Sequence, residues 1–115
     1  MQKSLNLLLV GAGKWGMNYV STLNSFPNID LKIATRYNWK RLIDEHPDGV
    51  FICTHPSSHI EIANYALSRN IPTMIEKPLA LSLNEANSLK GFSAPILVNN
   101  IHLFSETFRQ TLQLY

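Results

Sequence analysis

The sequence has 115 residues, 45% of them apolar, a size that suits one hydrophobic core and a single domain of residues 1–115. Its ten basic and eight acidic residues give a formal net charge of +2 and are scattered, which argues against a nucleic-acid-binding arm and against a polybasic membrane patch. Cys53, the one cysteine, can form no internal disulfide, and no apolar run approaches the roughly 20 residues of a membrane span, so we expect a cytoplasmic protein.

Strand patterns and helix patterns alternate along the chain. The apolar run 5–10 predicts a strand that ends at Gly11, and the residues after Gly13 predict a helix whose apolar face carries Trp15, Tyr19, Leu23 and Phe26. The later predictions are strands at 31–35, 50–54, 72–75 and 95–98, helices beginning near Asn38, Ser58 and Ser82, and a terminal helix with Phe104, Phe108, Leu112 and Tyr115 on one face. Ser58 with Glu61, and Ser82 with Glu85, predict capping boxes. This alternation predicts an α/β fold with a doubly wound parallel sheet.

The segment Gly11-Ala12-Gly13-Lys14-Trp15-Gly16 has the pattern G-x-G-x-x-G between a predicted strand and a predicted helix. In that context the first glycine permits a tight turn, the second lets a pyrophosphate approach the backbone, and the third allows close packing of helix on strand. The free N–H groups at the helix start would hold the phosphates. We therefore expect a dinucleotide site that includes Gly11, Gly13, Lys14, Trp15 and Gly16; the alternative is a glycine-rich turn that binds no ligand.

The end of the second predicted strand carries Thr35 and Arg36 where dinucleotide folds usually have an acidic residue for the ribose 2′-OH. A hydroxyl beside a guanidinium suits a 2′-phosphate better than a free ribose hydroxyl, since Arg binds phosphate with two parallel hydrogen bonds. We expect the cofactor to be NADP or NAD, with NADP favoured. The alternative is that Arg36 is a solvated charge at a strand end.

A second signature, Glu76-Lys77-Pro78, follows the strand predicted at 72–75, and Thr54-His55-Pro56-Ser57-Ser58-His59 follows an earlier one. Together with the glycine motif, these elements resemble the Gfo/Idh/MocA oxidoreductases over nearly all of the chain. The resemblance implies an N-terminal, Rossmann-like NAD(P)-binding domain. It also implies hydride transfer to or from a sugar or polyol-like substrate.

The resemblance implies a role for each of several residues. Lys77 would act at the substrate beside the nicotinamide as the catalytic group for proton movement, and Pro78 would fix the turn that aims it. The remaining positions implied to line the cofactor site are Glu76, Thr54, Pro56 and His59. From the residues alone, the alternative for Lys77 is a surface Lys-Glu pair that precedes a proline. His55 and His59 are as readily backbone-capping or packing residues as catalysts. No cluster has metal-ligand spacing, so we expect no metal site.

The sequence departs from the family pattern in two places. Only residues 37–49 separate the second and third predicted strands, which leaves room for one helix, so we expect the family's third strand to be missing and the second strand to form a sheet edge. The family's substrate domain also has no counterpart in this sequence. We therefore expect the chain to be incomplete as a catalyst and to form a homo-oligomer or bind a partner chain. The alternatives are a non-catalytic dinucleotide-binding or regulatory module, and an interaction protein with a vestigial nucleotide site.

Overall fold

The computed structural model of the chain describes residues 4–99. Five strands and four α-helices alternate along it: β1 Leu5–Val10, α1 Lys14–Leu23, β2 Ile29–Ala34, α2 Trp39–Asp44, β3 Gly49–Ile52, α3 His59–Leu67, β4 Thr73–Glu76, α4 Leu83–Asn87 and β5 Ile96–Asn99. A 3₁₀ turn, Pro56–Ser58, leads into α3. The terminal helix predicted from Phe104 to Tyr115 lies outside the described residues.

All strand pairs are parallel, and the strand order is β2-β1-β3-β4-β5. This confirms the doubly wound, Rossmann-like α/β fold. Among residues 4–99, β2 pairs only with β1, and the segment between Ala34 and Gly49 contains one short helix and no strand. The predicted loss of the third strand is therefore confirmed, and β2 is an edge of the sheet.

One face of the sheet holds the main core. Its strand residues include Leu8, Val10, Val50, Ile52 and Ile75, all at most 1% exposed, and they pack with Ile43 of α2 and with Ala63 and Ala66 of α3. Burial of these side chains contributes roughly 1.5–3 kcal/mol for each large aliphatic residue. This packing fixes the strand ends from which the loops of the candidate site emerge.

The opposite face is covered unevenly. Leu9, Phe51, Met74 and Leu97 lie in one row across neighbouring strands, and exposure rises from 0% at Leu9 to 57% at Leu97. Tyr19 of α1 packs against Phe51, with ring centroids 5.8 Å apart. Helix α1 therefore covers the β1 and β3 end of this face.

Two local predictions were wrong. Helix α1 ends at Leu23, so Phe26 lies in the following turn and is 50% exposed, while Trp15 at the helix start is 57% exposed. Ser58 forms no side-chain cap on α3, because its hydroxyl lies 2.7 Å from Thr54 Oγ1 and 2.9 Å from the His55 carbonyl oxygen. The cap at Ser82 is confirmed: its Oγ accepts from the Glu85 N–H at 3.1 Å.

No helix within residues 4–99 has the length and apolar character needed to cross a membrane.

Candidate functional site

The loops that carry the sequence motifs meet at one edge of the sheet. Because every strand is parallel, the segments after β1, β2, β3 and β4 all leave from the carboxyl edge. The chain runs from β1 to β2 on one side and reaches β3 on the other, so the strand order reverses between β1 and β3. Open parallel sheets bind ligands at such a crevice. The sequence-predicted site residues are thus brought to the edge where the fold favours binding.

The three motif glycines meet different surroundings. Gly11 has φ +94°, and a Cβ there would lie 2.8 Å from the Cys53 carbonyl carbon and from the Thr54 nitrogen. A Cβ on Gly16 would lie 2.2 Å from the Gly11 carbonyl oxygen. Both positions therefore need glycine for the fold itself. Gly13 has no atom within 4 Å of its Cβ position and an ordinary φ of −73°, so the packing of the described residues does not require glycine there.

Helix α1 begins directly at this loop. Gly13 is its N-cap residue with an extended backbone, no side chain caps the helix start, and the first turn contains no acidic residue. Lys14 and Trp15 are exposed in that turn. The backbone N–H groups of the first turn and the helix dipole therefore favour an anion in front of Gly13.

At the end of β2, the Thr35 hydroxyl takes part in a turn. The Asn38 Oδ1 accepts from the Thr35 N–H at 2.7 Å, and the Thr35 Oγ1 accepts from the Tyr37 N–H at 3.2 Å. The exposed Arg36 lies over the Tyr37 ring and donates to its hydroxyl at 2.5 Å. Thr35 thus shapes the turn, and Arg36 is held at its surface.

A cleft beside this turn is lined mostly by residues that the sequence analysis did not assign to the site. Its lining includes Arg36, Lys40, Ser58 and Glu61. The Lys40 Nζ lies 3.9 Å from a Glu61 carboxylate oxygen, and both side chains are largely exposed. Lys40 belongs to α2 and Ser58 to the segment before α3, so no local pattern around Arg36 could have indicated them. The cleft presents two cations and one carboxylate.

The segment after β4 places Glu76 in contact with α1. The Tyr19 hydroxyl donates to the Glu76 Oε2 at 2.5 Å. Burial, and to a lesser extent the Glu76 carboxylate, raises the pKa of the Cys53 thiol to about 12. The half-buried Cys53 is therefore a neutral thiol at physiological pH, and it is no candidate for a nucleophile.

Lys77 and Pro78 are exposed next to Glu76. The Lys77–Pro78 peptide bond is cis. Within residues 4–99, the Lys77 Nζ forms no ion pair and no hydrogen bond, so the surface Lys-Glu pair considered from the sequence is not formed there. The Lys77 ammonium group, at the carboxyl edge of the sheet, is therefore available to contact a bound molecule.

The His59 side chain contacts the backbone of the segment after β3. The His59 ring is only 1% exposed, its Nδ1 lies 2.8 Å from the Pro78 carbonyl oxygen, and its Nε2 lies 2.9 Å from the Thr54 carbonyl oxygen. Thr54 and Pro56 are half-buried above it. Of the alternatives for His59, backbone capping is the one that this geometry matches.

Comparison with known proteins agrees with the fold and the motifs. Residues 29–93 match the model of the Gfo/Idh/MocA oxidoreductase family, NAD-binding Rossmann fold. The matched region is more than half of the chain and includes Glu76-Lys77-Pro78, but it begins after the glycine motif. No curated protein matches the chain.

Solved structures match along nearly the whole chain. GenD2 from gentamicin A biosynthesis, in complex with NAD, is 18% identical with a TM-score of 0.85, and the match covers 99% of this chain and 39% of that one. Myo-inositol 2-dehydrogenase from Lactobacillus plantarum is 22% identical with a TM-score of 0.82, covering 97% of this chain and 41% of that one. A Gfo/Idh/MocA family oxidoreductase from Vibrio cholerae is 24% identical with a TM-score of 0.83, covering 96% and 43%.

This chain therefore spans about two fifths of the length of these structures. With the family match, the parallel sheet and the motif loops at its carboxyl edge, the conclusion is that the chain belongs to the Gfo/Idh/MocA oxidoreductase family and carries its NAD-binding Rossmann domain.

Proposed function

We propose that the chain binds NADP(H) or NAD(H) at the carboxyl edge of the sheet and forms the cofactor half of an oxidoreductase. The bound nicotinamide would supply hydride transfer to or from a sugar or polyol-like alcohol. A family relative among the solved structures is named a myo-inositol 2-dehydrogenase, which supports that substrate class.

The observation that carries the proposal is the open space at Gly13. The fold needs Gly11 and Gly16, but a side chain at position 13 would meet no atom of the described residues within 4 Å. A glycine that the packing does not require, in front of an uncapped helix start, fits a backbone that a pyrophosphate approaches. Gly13 and the first turn of α1 would therefore bind the phosphates.

Arg36 supports a preference for NADP(H). Its guanidinium lies at the end of β2, Lys40 lines the same cleft, and no carboxylate occupies position 35. The two cations would bind a 2′-phosphate, although Glu61 at the cleft margin opposes part of that charge. Thr35 would contribute by shaping the turn that holds Arg36.

Lys77 is the residue that we assign to proton movement. Its ammonium group is exposed beside Glu76 and is engaged by no other group of residues 4–99. A lysine near the reacting carbon of a bound substrate could deliver or accept the hydroxyl proton. The cofactor-lining positions Thr54, Pro56 and Glu76 come from the neighbouring loops at the same edge.

The direct test is a titration of the chain with NADPH, with NADH and with a non-nucleotide control, followed by tryptophan fluorescence. Trp15, 57% exposed in the first turn of α1, is the expected reporter, whereas Trp39 is 8% exposed in the core. Trp15→Phe should remove the fluorescence change but leave binding measurable by calorimetry.

The matched variant is Gly13→Val. We expect it to melt at the same temperature as the unmodified chain and to lose dinucleotide binding, because only the approach of the pyrophosphate is blocked. Failure of the unmodified chain to bind either dinucleotide would overturn the proposal and favour an interaction protein.

A further inference from the structure

We propose that His59 is a positioning residue that joins the Thr54 loop to the Lys77-Pro78 turn, because each of its ring nitrogens lies at hydrogen-bond distance from a backbone carbonyl oxygen of one of them. That these contacts serve to place Lys77 at the cofactor rests on the proposed function. The contacts themselves are made in the folded chain without any cofactor.

The His59 ring lies between two hydrogen-bond acceptors. The two atoms that face the ring are backbone carbonyl oxygens, of Thr54 at 2.9 Å and of Pro78 at 2.8 Å. Carbonyl oxygens only accept hydrogen bonds, so a ring nitrogen that carries a hydrogen donates it to the carbonyl oxygen that it faces.

Burial makes the two contacts of the ring important for the fold. The ring is 1% exposed, so water cannot replace a partner that is lost. A substitution that removes the ring nitrogens would leave the two carbonyl oxygens without this partner and loosen both loops. Within residues 4–99, no buried side-chain nitrogen or oxygen is left without a partner, which agrees with both contacts being made.

The two carbonyls belong to different parts of the site. Thr54 follows β3 and Pro78 follows β4, and neither segment's contact with the ring is local in sequence to the other. The Pro78 carbonyl comes one residue after Lys77. Fixing that carbonyl therefore limits the backbone positions open to Lys77, and fixes the distance between its turn and the loop that carries Thr54 and Pro56.

The test is amide hydrogen exchange without cofactor. The reporting amides are that of Ser58, which donates to the His55 carbonyl oxygen at 2.9 Å, and that of Leu81, which donates to the Glu85 Oε1 at 3.1 Å. His59→Phe keeps a flat ring and removes both ring nitrogens, so exchange at these two amides should rise at least tenfold. We expect an intermediate rise in His59→Gln and no change in His46→Gln, the control at an exposed position. Unchanged exchange in a folded His59→Phe variant would overturn the positioning role. Because the test uses no dinucleotide, a failure of the proposed function leaves its result interpretable.

Discussion

The Tyr19 hydroxyl donates to the Glu76 carboxylate at 2.5 Å, and this bond joins the helix after the glycine loop to the end of β4. The two residues are 57 positions apart in the chain. We expect Tyr19→Phe to lower the free energy of unfolding by about 1–2 kcal/mol, because a partly buried hydrogen bond to a charged group is lost. Urea denaturation would measure the loss. Tyr37→Phe is the matched control, since Tyr37 is 82% exposed, and it should change stability by less than about 0.5 kcal/mol.

The third motif glycine gives a prediction about stability alone. A methyl group at Gly16 would lie 2.2 Å from the Gly11 carbonyl oxygen, so Gly16→Ala must displace the loop or α1. We expect a lower melting temperature for Gly16→Ala and an unchanged one for Gly13→Ala, where the methyl group meets open space. Equal destabilisation by the two substitutions would show that the loop packs differently from this description.

Arg36 gives a prediction about cofactor choice. In the unmodified chain NADPH should bind more tightly than NADH by roughly 10- to 100-fold, the value of a charge-assisted hydrogen bond to the 2′-phosphate. Arg36→Ala should remove that difference while leaving NADH affinity within about twofold. Calorimetry with both cofactors decides the matter, and equal affinities in the unmodified chain would contradict the role of Arg36.

Lys77 should affect turnover and not cofactor affinity. We expect Lys77→Ala to bind NADPH as the unmodified chain does, because the proposed contact is with the substrate. In the complete active enzyme, the same change should lower kcat by about 10²- to 10⁴-fold, as expected when a general acid or base is removed. A loss of NADPH affinity with intact turnover would identify Lys77 as a phosphate-binding or structural residue.

Cys53 gives a pH prediction. Its pKa is raised to about 12, first by burial and then by Glu76, so the folded chain holds the thiol proton more tightly than the unfolded chain does. The resulting contribution to stability is present below the ordinary thiol pKa and is lost as the pH rises toward the folded value. Alkylation by iodoacetamide at mildly alkaline pH should therefore be more than about tenfold slower in the folded chain than in urea. Similar rates in both states would contradict the assignment.

Much of the fold was predictable from local pattern. The apolar run 5–10 gave the first strand at its observed bounds, because a buried parallel strand leaves a continuous apolar signal. The strand predicted at 50–54 ends instead at Ile52, since the backbone of Cys53 and Thr54 lies against the Gly11 loop. That contact joins distant segments and leaves no trace in the local sequence.

The candidate site was predictable where a motif carries the chemistry and not where contacts cross the fold. The glycine spacing was enough to place the loop in front of α1. The two carbonyl contacts of His59 depend on Pro78, 19 residues further along the chain, and on how two strands are spaced. The Tyr19–Glu76 bond depends in the same way on α1 lying beside β4. Such contacts follow from tertiary packing, which periodicity does not encode.

The strand order has a consequence for how ligand binding and unfolding are coupled. A dinucleotide that spans the glycine loop and the Lys77-Pro78 turn would contact segments that approach one another only when β1, β3 and β4 are paired. A partly unfolded chain would thus have no site, and binding would stabilise the native state as a whole. At a cofactor concentration of about 100 times the Kd, that linkage is worth about 2.7 kcal/mol. It should slow the opening of every central strand together, so the cooperativity of the sheet would be set partly by the cofactor concentration.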